Sequence, residues 1–205
     1  AIDKALEQGA FILWNHPGWP DDKSTLYPVH EELLKANKIH GVEVLNHKEY
    51  YPVAFDWCNQ YGIAPFANTD IHDLVNGCYG LEPGKMRPMT LVFATERSEK
   101  GIKEALFARR TAALFDNKLV GKSEYLMKLI QSSLKIRRIN AGTIEVTNIS
   151  DIPYEMTNGG KLYLFPCRKT VRIGVPKEGA LVFENCFVGM NQKLSIPFEW
   201  WSSVL

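Results

Sequence analysis

Residues 10–18, Ala-Phe-Ile-Leu-Trp-Asn-His-Pro-Gly, join a continuous apolar run to an abrupt polar end. Such a run is typical of a strand that is buried on both faces of a parallel sheet. Two further predicted strands, at residues 41–45 and 63–67, also end in polar residues. Segments with helical periodicity separate these strands, at Tyr27 to Asn37 and at Tyr50 to Tyr61. The repeat of strand and helix predicts an α/β fold, and the Gly- and Pro-containing segment 74–88 predicts a long loop.

The hydrophobic pattern of the last third changes from helical to alternating. Thr143 to Asn148 alternates strictly, and Asn158-Gly-Gly160 is a hairpin-type signal. Turn signals that recur about every 10 residues favour a small antiparallel β-sandwich. We expect Trp200 and Trp201 to pack in this sandwich or between the domains. We therefore predict three parts: residues 1–122 as the α/β domain, 123–136 as a linking helix and 137–205 as the β-sandwich.

The composition argues against several classes of protein. Apolar residues make up 45% and charged residues 23% of the 205 residues, as in ordinary globular proteins. No stretch approaches the roughly 20 apolar residues of a membrane span. The net charge of +1 gives no general attraction to nucleic acid or acidic membranes, so we expect neither as a partner. The sequence does not assign a cellular compartment, although export is slightly favoured over the cytoplasm.

Polar side chains that can bind metal ions follow the predicted strands. His16 follows the first strand, and Asp70 and His72 follow the third. Because the carboxyl ends of parallel strands open on one face, we expect these side chains in one site. Imidazole and carboxylate together suit zinc, manganese or iron better than calcium. The sequence therefore predicts a site for divalent metal ions.

Other polar residues near these ends have more than one interpretation. Asn46 either contacts substrate or a ligand, or caps the following helix. Glu43 either orients a ligand or makes hydrogen bonds inside the sheet. Arg110 either clamps a phosphate bidentately or forms a structural ion pair. With His47, which follows Asn46 at the same strand end, Asn46 and Arg110 are the predicted substrate-binding residues.

Four motifs in this order resemble the PHP family, named for polymerases and histidinol phosphatases. They are Asn15-His-Pro-Gly18, Gly41-Val-Glu-Val-Leu-Asn46, Thr69-Asp-Ile-His72 and Ala105-Leu-Phe-Ala-Arg-Arg-Thr111. Their spacing fits the second half of a PHP domain over residues 1 to about 120. The chain is most similar to bacterial PHP-type phosphodiesterases that carry an appended β domain.

The resemblance implies the C-terminal part of a distorted seven-stranded α/β barrel with two or three divalent metal ions. His16, Asp70 and His72 correspond to family ligands, each of a different ion. A metal-bound hydroxide would attack phosphorus, and Asp70 would accept a proton from the water, so Asp70 and His72 are the catalytic candidates. The His-x-His pair and the other ligands of the family's first half have no counterpart here, which predicts an incomplete chain that is inactive alone.

We therefore expect a metal-dependent phosphoesterase that hydrolyses a small phosphorylated substrate, either a phosphomonoester or a phosphodiester. One alternative is a non-catalytic binding module whose β domain binds carbohydrate or protein, and metal analysis would separate it from an enzyme. A second alternative is an amidohydrolase-type C–N hydrolase, because metal-bound hydroxide attacks carbonyl carbon as well as phosphorus.

Overall fold

The protein has a mixed α/β fold, with strands and helices alternating in the first part of the chain and strands predominating in the second. The structure is a computed structural model that describes residues 1–20, 23–80 and 86–199. The chain divides into two units, one of Ala1–Lys122 with Gly189–Asn191 and one of Ser123–Val188 with Gln192–Leu205. No helix among the described residues is both long and apolar enough to cross a membrane.

The first unit contains five helices and seven strands in its described residues. The helices are α1 (Ile2–Glu7), α2 (Pro28–Lys35), α3 (Pro52–Tyr61), α4 (Val75–Tyr79) and α5 (Glu99–Phe107). The strands are β1 (Leu13–Trp14), β2 (Gly41–Asn46), β3 (Glu49–Tyr50), β4 (Ala64–Asn68), β5 (Met89–Val92), β6 (Thr111–Phe115) and β7 (Lys118–Gly121).

Strand β2 lies at the centre of the first sheet. It pairs in parallel with β1 on one side and with β4 on the other, and all six of its residues are buried. Burial on both faces explains why four of its six residues are Gly, Val or Leu, because parallel strands are covered by helices. The parallel strands of the prediction are therefore present, although β1 has only two residues rather than the five expected at 10–14.

The connecting helices begin and end at residues that suit these positions. Pro28 and Pro52 stand in the first turns of α2 and α3, where a missing backbone N–H costs no hydrogen bond. Helix α3 ends at Gly62, whose φ of 64° is left-handed and therefore favours glycine. The chain returns from there directly into β4.

The later strands of the first unit run antiparallel. Strand β6 pairs with β5 and with β7. Helix α4 forms within residues 74–88, where the sequence predicts only a loop. Residues 81–85 of that predicted loop lie outside the described residues.

The second unit begins with helix α6 (Ser123–Ser133) and continues in strands. The strands are β8 (Leu134–Asn140), β9 (Thr143–Asn148), β10 (Tyr154–Asn158), β11 (Lys161–Phe165), β12 (Thr170–Gly174), β13 (Ala180–Gly189) and β14 (Gln192–Pro197). Strand β9 pairs with β8 and β12, whereas β10 pairs with β11 and β13.

The predicted linking helix ends at 133 rather than 136, because Leu134 already pairs with Asn148 in β8–β9. Trp200 and Trp201 lie outside the described residues.

We predict that Gly41→Ala destabilises the protein. A Cβ atom at Gly41 would lie 2.6 Å from Cε2 of Phe66 and 3.0 Å from the carbonyl oxygen of Ala64, and such overpacking costs about 1–3 kcal/mol. Urea denaturation measures the free energy of unfolding. Gly77→Ala is the control, because no atom lies within 4 Å of its added Cβ and alanine favours a helix. Equal stability of the two variants would contradict this packing.

Candidate functional site

A cavity of about 460 Å³ lies at the carboxyl ends of the parallel strands. Its lining consists of polar and aromatic side chains, namely His16, Trp19, Asn46, His47, Glu49, Tyr51, Asp70 and His72. The cavity thus brings together five of the six residues that the sequence predicts for the site. Glu49 and Tyr51 are additions that no sequence pattern indicated.

Three of the lining residues have a left-handed backbone. The φ angles are 33° at His16, 47° at Asp70 and 51° at His47. Each of these residues lies one or two positions after the end of β1, β2 or β4. A non-glycine residue in this region costs on the order of 1–3 kcal/mol and is found most often at functional sites. The strand ends therefore turn sharply at the residues that face the cavity.

A buried carboxylate beneath the cavity joins these strand ends. Glu43 in β2 is only 2% exposed. Its Oε2 accepts hydrogen bonds from the backbone N–H of His16 (2.5 Å) and from Nδ2 of Asn46 (2.8 Å), and its Oε1 accepts one from Nδ2 of Asn68 (2.7 Å). Three donors thus compensate the burial of a charge that would otherwise be strongly unfavourable. Glu43 both makes interior hydrogen bonds and fixes the backbone of a predicted ligand.

A β-bulge explains how Glu43 and Asn46 reach each other. In a regular strand, residues three positions apart point to opposite faces. The register of β2 with β4 shifts between Glu43 and Leu45, which adds one residue and turns Asn46 to the face of Glu43. The amide of Asn46 therefore binds Glu43, rather than capping the helix as one interpretation proposed. Asn68 was missed as a Glu43 partner, since only its position at a strand end marks it in the sequence.

Asp70 and His72 form a pair at the mouth of the cavity. Nε2 of His72 lies 3.3 Å from Oδ1 of Asp70, and the two side chains are 86% and 40% exposed, respectively. The turn after β4 therefore does bring both side chains of the Asp-x-His motif to one side. Both remain accessible to an ion or a substrate.

The charge of Asp70 acts on two nearby tyrosines. Tyr51 donates a hydrogen bond of 2.5 Å to Oε2 of Glu49, and burial together with this bond raises the pKa of Tyr51. Burial also raises the pKa of Tyr79, to which the charge of Asp70 contributes. Both groups are therefore neutral phenols that can donate hydrogen bonds. The ring of Tyr51 also requires glycine at position 18, because a Cβ there would lie 2.4 Å from Cε1 of the ring.

His47 is held by a hydrogen-bonded chain. Its Nδ1 lies 3.0 Å from the hydroxyl of Tyr79, which in turn donates to the carbonyl oxygen of Thr69 at 2.6 Å. Its backbone N–H donates to the carbonyl oxygen of Asn68 at 3.0 Å. Tyr79 belongs to α4, the helix that the sequence did not predict. It connects the turn after β2 with the turn after β4.

The side chains of His16, Asp70 and His72 are of the chemical types that bind divalent transition metals. Imidazole and carboxylate groups are common ligands of zinc, manganese and iron. Within the described ranges, no three His, Cys, Asp or Glu side chains lie close enough to hold one ion. His16, Asp70 and His72 therefore do not form one compact triad, and the ligation of separate ions stays a prediction.

Arg110 does not join the site. Its guanidinium binds both carboxylate oxygens of Glu104, and its Nε donates to the carbonyl oxygen of Phe93 at 2.9 Å. The hydrogen bond from Arg110 lowers the pKa of Glu104. The neighbouring Thr111 binds Pro65 near the start of β4, whereas Asp70 follows the end of that strand. Arg110 therefore lies at the other end of the sheet, and its geometry is that of the structural ion pair.

The chain is similar to a protein of known structure. No protein-family model and no curated protein matches the chain. Its structure is similar to the crystal structure of a two-domain protein from Bacteroides vulgatus that contains a predicted PHP-like metal-dependent phosphoesterase. The TM-score is 0.88 and the sequence identity 32%, over 96% of this chain. The chain spans 64% of the length of that protein. This similarity confirms the resemblance that the four motifs indicated.

We predict that Glu43→Gln destabilises the protein by about 1–3 kcal/mol, the cost of leaving a buried hydrogen-bonding group unsatisfied. The variant keeps the size of the side chain but replaces one acceptor oxygen with an amide, which would face a donor among His16, Asn46 and Asn68. Thermal and urea denaturation measure the effect. Glu32→Gln, at an exposed position of α2, is the matched control, and a loss no larger than that of this control would show that the three hydrogen bonds are not needed.

Proposed function

We propose that this chain belongs to the PHP-like proteins and takes part in metal-dependent hydrolysis of phosphoesters. The observation that carries the proposal is the convergence of His16, Asp70 and His72 on one cavity. In this proposal the first unit corresponds to the C-terminal part of a distorted seven-stranded barrel. The second unit corresponds to an appended antiparallel β-sandwich.

The proposed roles follow from the chemistry of each side chain. His16, Asp70 and His72 would hold two or three zinc, manganese or iron ions, which supply Lewis-acid activation of water and of phosphoryl oxygens. Asp70, which is partly exposed beside His72, would take the proton of the attacking water. Glu43 has no contact with substrate in this scheme and instead positions the backbone of His16.

The size of the cavity supports the proposal that the substrate is a small phosphorylated molecule. A volume of about 460 Å³ lies in the range of pockets that enclose small molecules. Either a phosphomonoester or a phosphodiester fits this description. The net charge of +1 gives no support to a nucleic acid as substrate.

We predict that Asp70→Asn in the full-length protein removes most metal-dependent phosphoesterase activity. An amide neither carries the charge nor accepts a proton, so kcat/KM should fall by at least about 100-fold, the upper end of the loss seen for groups that only support a ligand. Hydrolysis of p-nitrophenyl phosphate and of bis-p-nitrophenyl phosphate, with Mn²⁺ or Zn²⁺ added to metal-free protein, measures the effect and separates monoesterase from diesterase activity.

Asp73→Asn is the matched control for this experiment. Asp73 is an exposed residue of the same turn, and its Oδ1 accepts a hydrogen bond from the backbone N–H of Leu74, which asparagine can also accept. Its activity should stay close to that of the unchanged protein. Equal activity and equal metal content in the Asp70→Asn variant would overturn the proposed function.

A further inference from the structure

The hydrogen-bonded chain of His47, Tyr79 and Thr69 fixes where the protons lie. The carbonyl oxygen of Thr69 can only accept, so the single hydroxyl proton of Tyr79 points to it across 2.6 Å. The Tyr79 oxygen must then be the acceptor in its 3.0 Å contact with Nδ1 of His47. Nδ1 of His47 therefore carries the proton, and in the neutral ring Nε2 carries a lone pair.

Nε2 of His47 is available to a ligand. Over residues 1–20, 23–80 and 86–199, the only side-chain hydrogen bond of His47 is the one from Nδ1 to Tyr79, and Nε2 is not among the buried atoms that lack a partner. His47 lines the same cavity as His16, Asp70 and His72. An accessible nitrogen lone pair thus belongs to a residue of the cavity in which the proposed metal ions bind.

We propose that His47 is a further metal ligand of this site, bound through Nε2, and that Tyr79 is the positioning residue that selects this tautomer. The inference rests on the proposed function, because it assumes that divalent ions occupy the cavity. It replaces the role in substrate binding that the sequence indicated for His47.

The chemistry of the lone pair favours a cation over a phosphoryl oxygen. Two electron-rich atoms repel each other, whereas a divalent ion is an electron-pair acceptor. Histidines that bind metals usually donate their other ring N–H to an oxygen atom, which fixes the ring and raises its basicity. Tyr79 provides that oxygen, and its own bond to Thr69 ties His47 to the turn that carries Asp70. One tyrosine thereby sets the orientation of a ligand after β2 relative to a ligand after β4.

The test is metal binding in the absence of substrate. We choose His47→Asn because asparagine tolerates the left-handed backbone at this position but is too short to replace the imidazole. Titration of metal-free full-length protein with Mn²⁺ or Zn²⁺ in a calorimeter should show that the variant loses affinity for at least one ion by about 100-fold or more, the upper end of the loss that follows removal of an outer partner. The visible absorption spectrum of the Co²⁺-loaded protein should change as well, because one nitrogen ligand is lost.

Tyr79→Phe tests the positioning role separately. The ring remains, but the acceptor for Nδ1–H is removed, so metal affinity should fall by about 10- to 100-fold, the usual effect of losing the outer partner of a ligand. This variant also keeps the proposal testable if His47→Asn does not fold. Lys48→Arg, an exposed neighbour in the same turn, is the control and should bind metal as the unchanged protein does.

The outcomes separate this inference from the proposed function. Unchanged metal affinity and an unchanged Co²⁺ spectrum in His47→Asn, with an increase in KM alone, would overturn the inference and return His47 to substrate binding. Loss of metal in Asp70→Asn under those conditions would leave the proposed function intact. Failure of the unchanged protein to bind any divalent ion would instead overturn both.

Discussion

The buried carboxylate of Glu43 holds three separate chain segments together, and the geometry of the cavity depends on this constraint. A charge that is 2% exposed must be fully hydrogen-bonded, and its donors come from His16, Asn46 and Asn68. These residues follow or end β1, β2 and β4 respectively. Satisfying one carboxylate therefore fixes the relative positions of three strand ends before any ion or substrate binds.

The cavity side chains project from strained turns above this layer. His16, His47 and Asp70 all have positive φ angles, which are unfavourable unless the surroundings compensate for them. The bond from the His16 backbone to Glu43 compensates at one turn, and the chain from His47 through Tyr79 to Thr69 links the other two. Turns that are held in this way present their side chains to the cavity without reorganisation, which is the arrangement that a preorganised binding site requires.

Much of the site could be predicted because strand ends are local features of the sequence. The polar residues after each apolar run identified His16, Asp70 and His72, and the cavity contains all three. Arg110 could not be placed in the same way. It precedes β6, and the hydrogen bond from Thr111 to Pro65 sets the beginning of β6 beside the start of β4, away from the strand ends that line the cavity. The Tyr79 contact was equally inaccessible, because the sequence predicts a loop where helix α4 forms.

The sequence by itself determined the parallel strands, the order of the four motifs and the choice of candidate metal ligands, since these follow from apolar periodicity and residue chemistry. Only the tertiary structure decided which of these side chains meet. The bulge in β2 places Glu43 and Asn46 on one face, and Tyr79 fixes the tautomer of His47. Both effects depend on register and on contacts between residues far apart in the chain, which a local pattern does not encode.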